Sequence, residues 1–322
     1  SLPFDKANIE VIWFCKYRYY KYMNSLGFDK SESNTKVVVA MSGGVDSSVA
    51  AVMLKRQGYD VVGITLKLYN NSNVSKDKSC CAGIDIEDAK NVAEKNSFKH
   101  IVLDYQDKFF DGVINNFVDS YSNGETPLPC VKCNQTVKFS DLLNEAKKIG
   151  ADALATGHYA IRKGSLENAS LHKAKDFSKD QSFFLFATLQ EQLNYVRFPL
   201  GDFKKSEIRQ LAKKYNLSVS EKPDSQDICF VTSDSYRDLI KNLNPEVIKK
   251  GIIYDIENNI LGTHDGISNY TIGQRKGIGI SGAKKPLYVI DINKDQNSIT
   301  LGTKEKLKKS IINFKNINWL GG

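Results

Sequence analysis

One heptapeptide constrains this chain more than any other: Ser42-Gly43-Gly44-Val45-Asp46-Ser47-Ser48, set between an apolar run and an amphipathic one. Residues 37–41, Val-Val-Val-Ala-Met, are continuously apolar, as expected of a parallel strand buried on both faces. Residues 47–57 form the expected helix, with Val49, Val52 and Met53 on its apolar face and Gly58 as its stop. The paired glycines allow a sharp turn and close approach to a ligand, because no Cβ stands in the way. The helix then offers unpaired N–H groups and the positive end of its dipole, and Ser47 and Ser48 add hydroxyl donors. A phosphate is the expected guest. No Gly-Lys-Ser/Thr ending makes this a Walker A loop, and dinucleotide spacing is missing. A tight turn with serine caps is the plainer alternative.

The alternation continues downstream. Strands are expected at 61–66, 100–103 and 153–156, and helices at 85–95, 109–121 and 139–149. Such βαβ units imply a parallel sheet covered on both faces. Beyond about residue 230 short β-type runs take over, at 252–256, 287–292 and 299–301. The expected architecture is therefore α/β: a Rossmann-like parallel-sheet domain followed by a small β-rich domain. At 322 residues the chain has the length of two domains, or of one large α/β domain with an appendage.

Composition narrows the function classes. With 41% hydrophobic and 25% charged residues the chain is neither disordered nor collagen-like. No apolar run approaches the ~20 residues that span a bilayer, and no secretory pattern is present. Six cysteines are too few for a disulfide scaffold and fit reduced thiols in a cytoplasmic chain. The net charge is +8, and residues 201–322, with 20 basic and 14 acidic side chains, supply +6 of it. That bias suits a polyanionic partner, and equally a lysine-rich solvated surface. Residues 1–22 mix aromatics and cations without periodicity and read as an extension, joined by a polar linker at 29–36.

The heptapeptide resembles the PP-loop of ATP pyrophosphatases, enzymes that cleave ATP to AMP and pyrophosphate while activating an oxygen as its adenylate. Five further segments follow in order: Thr126-Pro127-Leu128-Pro129-Cys130-Val131-Lys132-Cys133-Asn134, Ala155-Thr156-Gly157-His158-Tyr159, Lys179-Asp180-Gln181-Ser182-Phe183-Phe184-Leu185, Asp224-Ser225-Gln226-Asp227-Ile228-Cys229-Phe230 and Gly273-Gln274-Arg275-Lys276-Gly277-Ile278-Gly279. Together they resemble the tRNA-specific 2-thiouridylases, which place sulfur on the wobble uridine of certain tRNAs. The resemblance runs from about Lys36 to the end of the chain. It implies a PP-loop catalytic domain at 36–231 after the 1–35 extension, a β-rich tRNA-binding domain at 232–309, and at 310–322 the start of a truncated C-terminal β-barrel, with a strand at 311–319.

The same resemblance implies site residues. ATP is expected at Ala40, Met41, Ser42, Gly43, Gly44, Val45, Asp46, Ser47, Leu66 and Gly157, with Mg²⁺ screening its phosphates. Contacts to tRNA are expected at Leu128, Pro129, Cys130, Lys179, Asp180 and Gln181. Cys133 matches the nucleophile of the family and Cys229 its persulfide carrier, loaded by a cysteine desulfurase relay; the tRNAs would be those for Lys, Glu and Gln. Two departures stand out: Cys130 replaces an aspartate of some members, and Leu128 the usual asparagine.

Sulfur chemistry runs on thiolates, so useful cysteines belong near cations or helix N-termini. Cys133 follows Lys132 and precedes an expected helix; Cys229 lies seven residues after Lys222. Cys15 lies outside the core, and Cys80-Cys81 sits in a polar loop. Cys130-x-x-Cys133 could be half a zinc site, but no second such pair or histidine cluster completes it. Cys130, Cys133 and Cys229 could instead hold a 4Fe–4S cluster with one open iron. His158, just after a strand, is either a base or a satisfied structural histidine. Gln274-Arg275-Lys276 is either a phosphate-backbone grip or a basic surface turn. Other readings remain: a PP-loop ligase or amidotransferase acting on a small acid, and a non-catalytic tRNA-binding or sulfur-relay protein.

Overall fold

The computed structural model describes residues 23–69, 81–224, 228–231, 236–283 and 285–320, and for Cys81 and Ala82 the backbone alone. Among the sequence expectations, the extension at 1–22 with Cys15, Cys80, the side chain of Cys81, and Ser225-Gln226-Asp227 lie outside the described residues.

A five-stranded parallel sheet forms the first unit, in the order β3-β2-β1-β4-β7. Its strands are β1 (Lys36–Ala40), β2 (Asp60–Lys67), β3 (Lys99–Asp104), β4 (Ala153–Thr156) and β7 (Val196–Arg197). β1 shows why the apolar run is unbroken: Val37 and Val39 face one core and Val38 the other. Helices α1 (Val45–Arg56), α2 (Cys81–Lys95) and α6 (Lys205–Lys214) cover the first face. The opposite face receives Phe139, Leu142 and Leu143 of α4, residues 129–148. A hairpin, β5 (Ala160–Gly164) with β6 (Ala169–Lys173), and α5 (Gln190–Tyr195) lie between β4 and β7.

Two helices depart from the sequence expectation. α3 (residues 106–122) contains a π-helical stretch at Phe110–Ile114, and α4 contains one at Asn134–Leu142. α4 begins at Pro129, ten residues before the predicted start, because its i→i+5 turns break the 3.6-residue rhythm on which the prediction rested.

α3 carries an aromatic cluster that joins the two units. Phe109 and Phe117 hold Phe230 between them, with ring centroids 5.7 and 5.3 Å away. Tyr121 stacks on Tyr236 of α7 (Tyr236–Leu243) at 4.8 Å. The β-rich unit is a mixed four-stranded sheet, β10-β11-β8-β9, built from β8 (Gly251–Tyr254), β9 (Ile260–His264), β10 (Tyr288–Asn293) and β11 (Ser298–Gly302). Ile253, Val289 and Ile299 fill its core. The strand expected at 311–319 does not form. Among the described residues no neighbouring strand pairs with it, and Ile311, Phe314 and Trp319 are exposed. Asn318 nonetheless ties this segment down by donating to the carbonyls of Phe186 and Thr188.

Candidate active site

β1 pairs with β2 on one side and β4 on the other, so the crevice beyond its carboxyl end is where such a sheet binds ligands. The phosphate loop fills that position. Gly43 adopts φ +71°, and a Cβ there would collide with the backbone of Asp85. Ser47 turns back into the loop, its hydroxyl accepting from the Ser42 amide at 3.1 Å. Gly44 caps α1 without a side-chain bond, leaving first-turn amides for a ligand.

Two adjoining cavities open here. The smaller, 240 Å³, runs between β1 and β4 and is lined by Ala40, Met41, Ile64, Leu66, Thr156 and Gly157, with Ser42, Asp46 and Ser47 at its mouth. The larger, 410 Å³, adds Gly44, Val45, Tyr159, several lysines and Cys229. Ser42, Asp46, Leu66, Lys138 and Gln181 border both. An apolar slot leading into a cation-rich chamber matches the two ends of a nucleotide. Of the ten residues expected around ATP, all but Gly43 line one cavity or the other; Gly43 shapes the turn from behind.

Long-range pairs, none of which was anticipated, hold the chamber. Lys205 Nζ reaches both oxygens of Asp46 at 2.7 Å and Asp224 at 2.9 Å. Tyr159 donates to Asp46 at 2.8 Å, and burial together with that carboxylate keeps its hydroxyl protonated. Arg209 and Lys179 close on Asp224 at 2.7 and 3.0 Å. Burial alone would raise the Asp224 carboxyl, but the bonds from Lys205 and Lys179 outweigh it and pull it down to about 2. Lys222 binds Asp85, Asp88 and the carbonyl of Gly43, so it locks the phosphate loop and does not serve Cys229 as expected.

The fold brings Cys133 and the segment that carries Cys229 into one apolar cluster, where Cys133 packs with Phe230 and Ile228. Cys130, Cys133 and Cys229 are free thiols, and each of the first two is felt electrostatically at the third. Cys133 is buried as the fifth residue of α4, and its neighbouring cation is Lys138 in place of Lys132. Burial pushes the Cys133 thiol up, against the pull of Lys138. Cys229 retains an exposed face in a turn closed by the Val231 amide on Ile228, yet it is crowded enough that burial, then Cys133, push it up to about 12. A cation and a helix start are thus near, as the sequence suggested, but burial outweighs them and both thiols are raised. Among the described residues no three His, Cys, Asp or Glu side chains gather closely enough to hold a metal ion, so the three thiols share a neighbourhood without forming a ligand set.

The other candidates divide. Leu128 and Cys130 are exposed at the start of α4, with Pro129 buried beneath them. Asp180 accepts from the Ala174 amide and the Ser182 hydroxyl, while Gln181 bonds the backbone of Tyr159 on both sides; these two organise the loop that carries Lys179 to the chamber. His158 is a structural histidine. It lies between Phe139 and Phe198, its Nδ1 pairs with Thr156 Oγ1 at 2.8 Å, and burial lowers it to about 3. Gln274 braces its own turn by bonding Thr271 and Lys276, with Arg275 on the rim of a separate glycine-lined hollow.

A parallel sheet, a Gly-Gly-x-Asp-Ser loop at its switch point and a nucleotide-shaped crevice define a HUP-type nucleotide-binding domain of the PP-loop class. A family model described as tRNA methyl transferase HUP domain matches residues 35–233, and one described as tRNA methyl transferase PRC-barrel domain matches 237–303. The chain belongs to the tRNA-specific 2-thiouridylase family. The tRNA-specific 2-thiouridylase MnmA of Roseobacter denitrificans is 52% identical over 301 residues, 93% of this chain and 79% of that protein. The protein of the same name from Ehrlichia canis is 54% identical over 292 residues, 91% and 78% of the two chains. That of Rhodospirillum centenum is 50% identical over 308 residues, 93% and 79%. A U34-tRNA thiolase, NcsA from Methanococcus maripaludis with its 4Fe-4S cluster, is a distant structural likeness: TM-score 0.41 and 19% identity over 73% of each chain.

Proposed function

We propose that this chain is an ATP-dependent tRNA uridine 2-sulfurtransferase that thiolates the wobble base. The observation that supports this reading is that Cys133 packs in one cluster with Ile228 and Phe230, the neighbours of Cys229 some 96 residues further along the chain, while Cys229 borders the chamber headed by the PP-loop. An amidotransferase or ligase acting on a small acid has no use for that thiol pair.

In this reading the apolar slot takes the adenosine, and Gly44, Ser42 and the first turn of α1 take the phosphates that leave as pyrophosphate. The uridine O2 attacks the α-phosphorus. The outer sulfur of a Cys229 persulfide then adds to C2, and AMP departs with the C2–O electron pair. Cys133, as thiolate, attacks the inner sulfur of Cys229; the S–S bond breaks with its electrons remaining on the sulfur of the base. A Cys133–Cys229 disulfide is left for an external thiol to reduce. Asp46, the carboxylate that borders both cavities, is a hard oxygen donor and fits a phosphate-bound Mg²⁺, which would screen phosphate charge.

Leu128, Pro129 and Cys130 with Lys179 to Gln181 form the proposed tRNA-facing rim, and the β-rich unit at 232–309 the further support. The wobble base must be splayed from its loop, a modest cost in single-stranded RNA. The tRNAs would be those for Lys, Glu and Gln, the sulfur would come from a cysteine desulfurase relay, and the site of action would be the cytoplasm. Among the described residues no helix is long and apolar enough to cross a membrane.

The test supplies ATP, unmodified tRNA, a cysteine desulfurase and cysteine, and measures AMP and 2-thiouridine. Both should form with the wild type, and 2-thiouridine should disappear in Cys133→Ala and in Cys229→Ala. AMP formation stimulated by a small carboxylic acid and indifferent to tRNA would overturn the reading, as would tRNA binding without either product.

A further inference from the structure

Cations crowd the chamber, and most of them are already engaged. Lys179 and Lys205 pair with Asp224, Lys205 also with Asp46, and Lys222 with Asp85 and Asp88. Among the described residues Lys138 alone of the chamber lysines forms no ion pair, although it borders both cavities. It is half-buried, where an ammonium without a carboxylate is costly unless something else answers its charge.

Helix geometry sets its position. Lys138 lies five residues after Cys133, within the π-helical stretch Asn134–Leu142. In an α-helix a five-residue step rotates a side chain by about 140°, away from its starting face. The i→i+5 bonding of a π-helix returns it towards the same face, and such stretches occur frequently at functional sites. The widened turn thus gives Lys138 and Cys133 a shared outlook.

We propose that Lys138 is the cation of the sulfur-transfer step, stabilising the Cys133 thiolate as it attacks the inner sulfur of Cys229 and serving the nucleotide's phosphates while they occupy the cavity. The inference rests on the functional reading above. Charge supports it independently. Burial raises both thiols, and Lys138 pulls each of them down. Cys130, from the same helix, raises both thiols, and Cys133 raises Cys229. Asp46, Asp85, Asp224, Lys179, Lys205 and Lys222 border the same chamber, the carboxylates each paired with a lysine, and His158, neutral, lies behind the slot.

A single ammonium cannot fully answer a phosphate and a thiolate together. With ATP bound, Cys133 keeps its proton and the persulfide is safe from premature attack. Once pyrophosphate has left, the charge becomes available, the Cys133 proton passes to water and the thiolate forms. Nothing is oxidised or reduced in this ionisation; the redox change belongs to the disulfide exchange already described.

The test follows iodoacetamide alkylation of Cys133 and Cys229 against pH, resolved by peptide mass spectrometry. It uses the full chain as wild type, Lys138→Met and Lys138→Arg, with and without a non-hydrolysable ATP analogue. Lys138→Met should slow Cys133 alkylation about tenfold at pH 8 and move its midpoint upward, and Lys138→Arg should restore most of the rate. The analogue should slow the wild type and leave Lys138→Met unaffected. An unchanged midpoint in a folded Lys138→Met overturns the inference. If that variant does not fold, the wild-type response to the analogue decides instead, and no protection overturns it. Alkylation needs neither tRNA nor turnover. A midpoint shift in a chain that never thiolates tRNA would sink the functional reading and leave the Lys138–thiol pairing; thiolation with no shift would sink the Lys138 role alone.

Discussion

Gly157 passes Ser47 with no room for a side chain between them: a Cβ on Gly157 would stand 2.7 Å from the Ser47 amide nitrogen and 2.9 Å from the Asp46 carbonyl carbon. The end of β4 is thereby pressed against the first turn of α1, and the two close the slot between them. Gly157→Ala must push these backbones apart. We expect a loss of about 1–3 kcal/mol in stability and about tenfold in ATP affinity, read by thermal melting and by titration with ATP. Unchanged values for both would show that the contact is slack.

His158 predicts an acid sensitivity. Its imidazole is ordinarily near 6.5 and is lowered to about 3 by burial, so the unfolded chain binds its proton first. Its contribution is complete above 6.5 and drains away as pH falls towards 3. Replacing His158 with Gln should flatten the wild-type decline in unfolding free energy between pH 6.5 and 4, measured by urea titration at each pH. An identical slope in both proteins would contradict the buried neutral imidazole.

Asp224 acts lower on the pH scale. Its carboxyl falls from 3.8 to about 2, with the bonds from Lys205 and Lys179 overcoming desolvation. A lowered carboxylate stabilises the fold above its unfolded value and stops doing so as pH falls through its folded one. Asp224→Asn should be less stable than wild type at pH 7, and the gap should narrow from pH 4 to pH 2. A gap independent of pH would mean that the side chain contributes by packing alone.

Much of this site was legible before the structure because its signals are local. The apolar run, the glycine pair and the serines of the phosphate loop are neighbours in sequence, and their physics is that of one strand, one turn and one helix start. Lys138 was not legible: the π-helical stretch that turns it back towards the face of Cys133 is announced by no periodicity. Lys205 was further from reach, since 159 residues separate it from Asp46. Lys222, near Cys229 in sequence, works for Gly43, and the thiols rest protonated because burial outweighs their cation. Strand 311–319 was misread because an apolar segment becomes a strand only when a neighbour accepts its hydrogen bonds.

Cys229 has a buried neighbour. Phe230 is clamped between Phe109 and Phe117, and consecutive Cα atoms stand about 3.8 Å apart. While that clamp holds, the Cys229 sulfur can swing only about an anchored neighbour. In the functional reading proposed above, the remaining distance to an activated base then falls to the RNA, so that delivery of the nucleic acid, and not the motion of a thiol arm, becomes the mechanical problem.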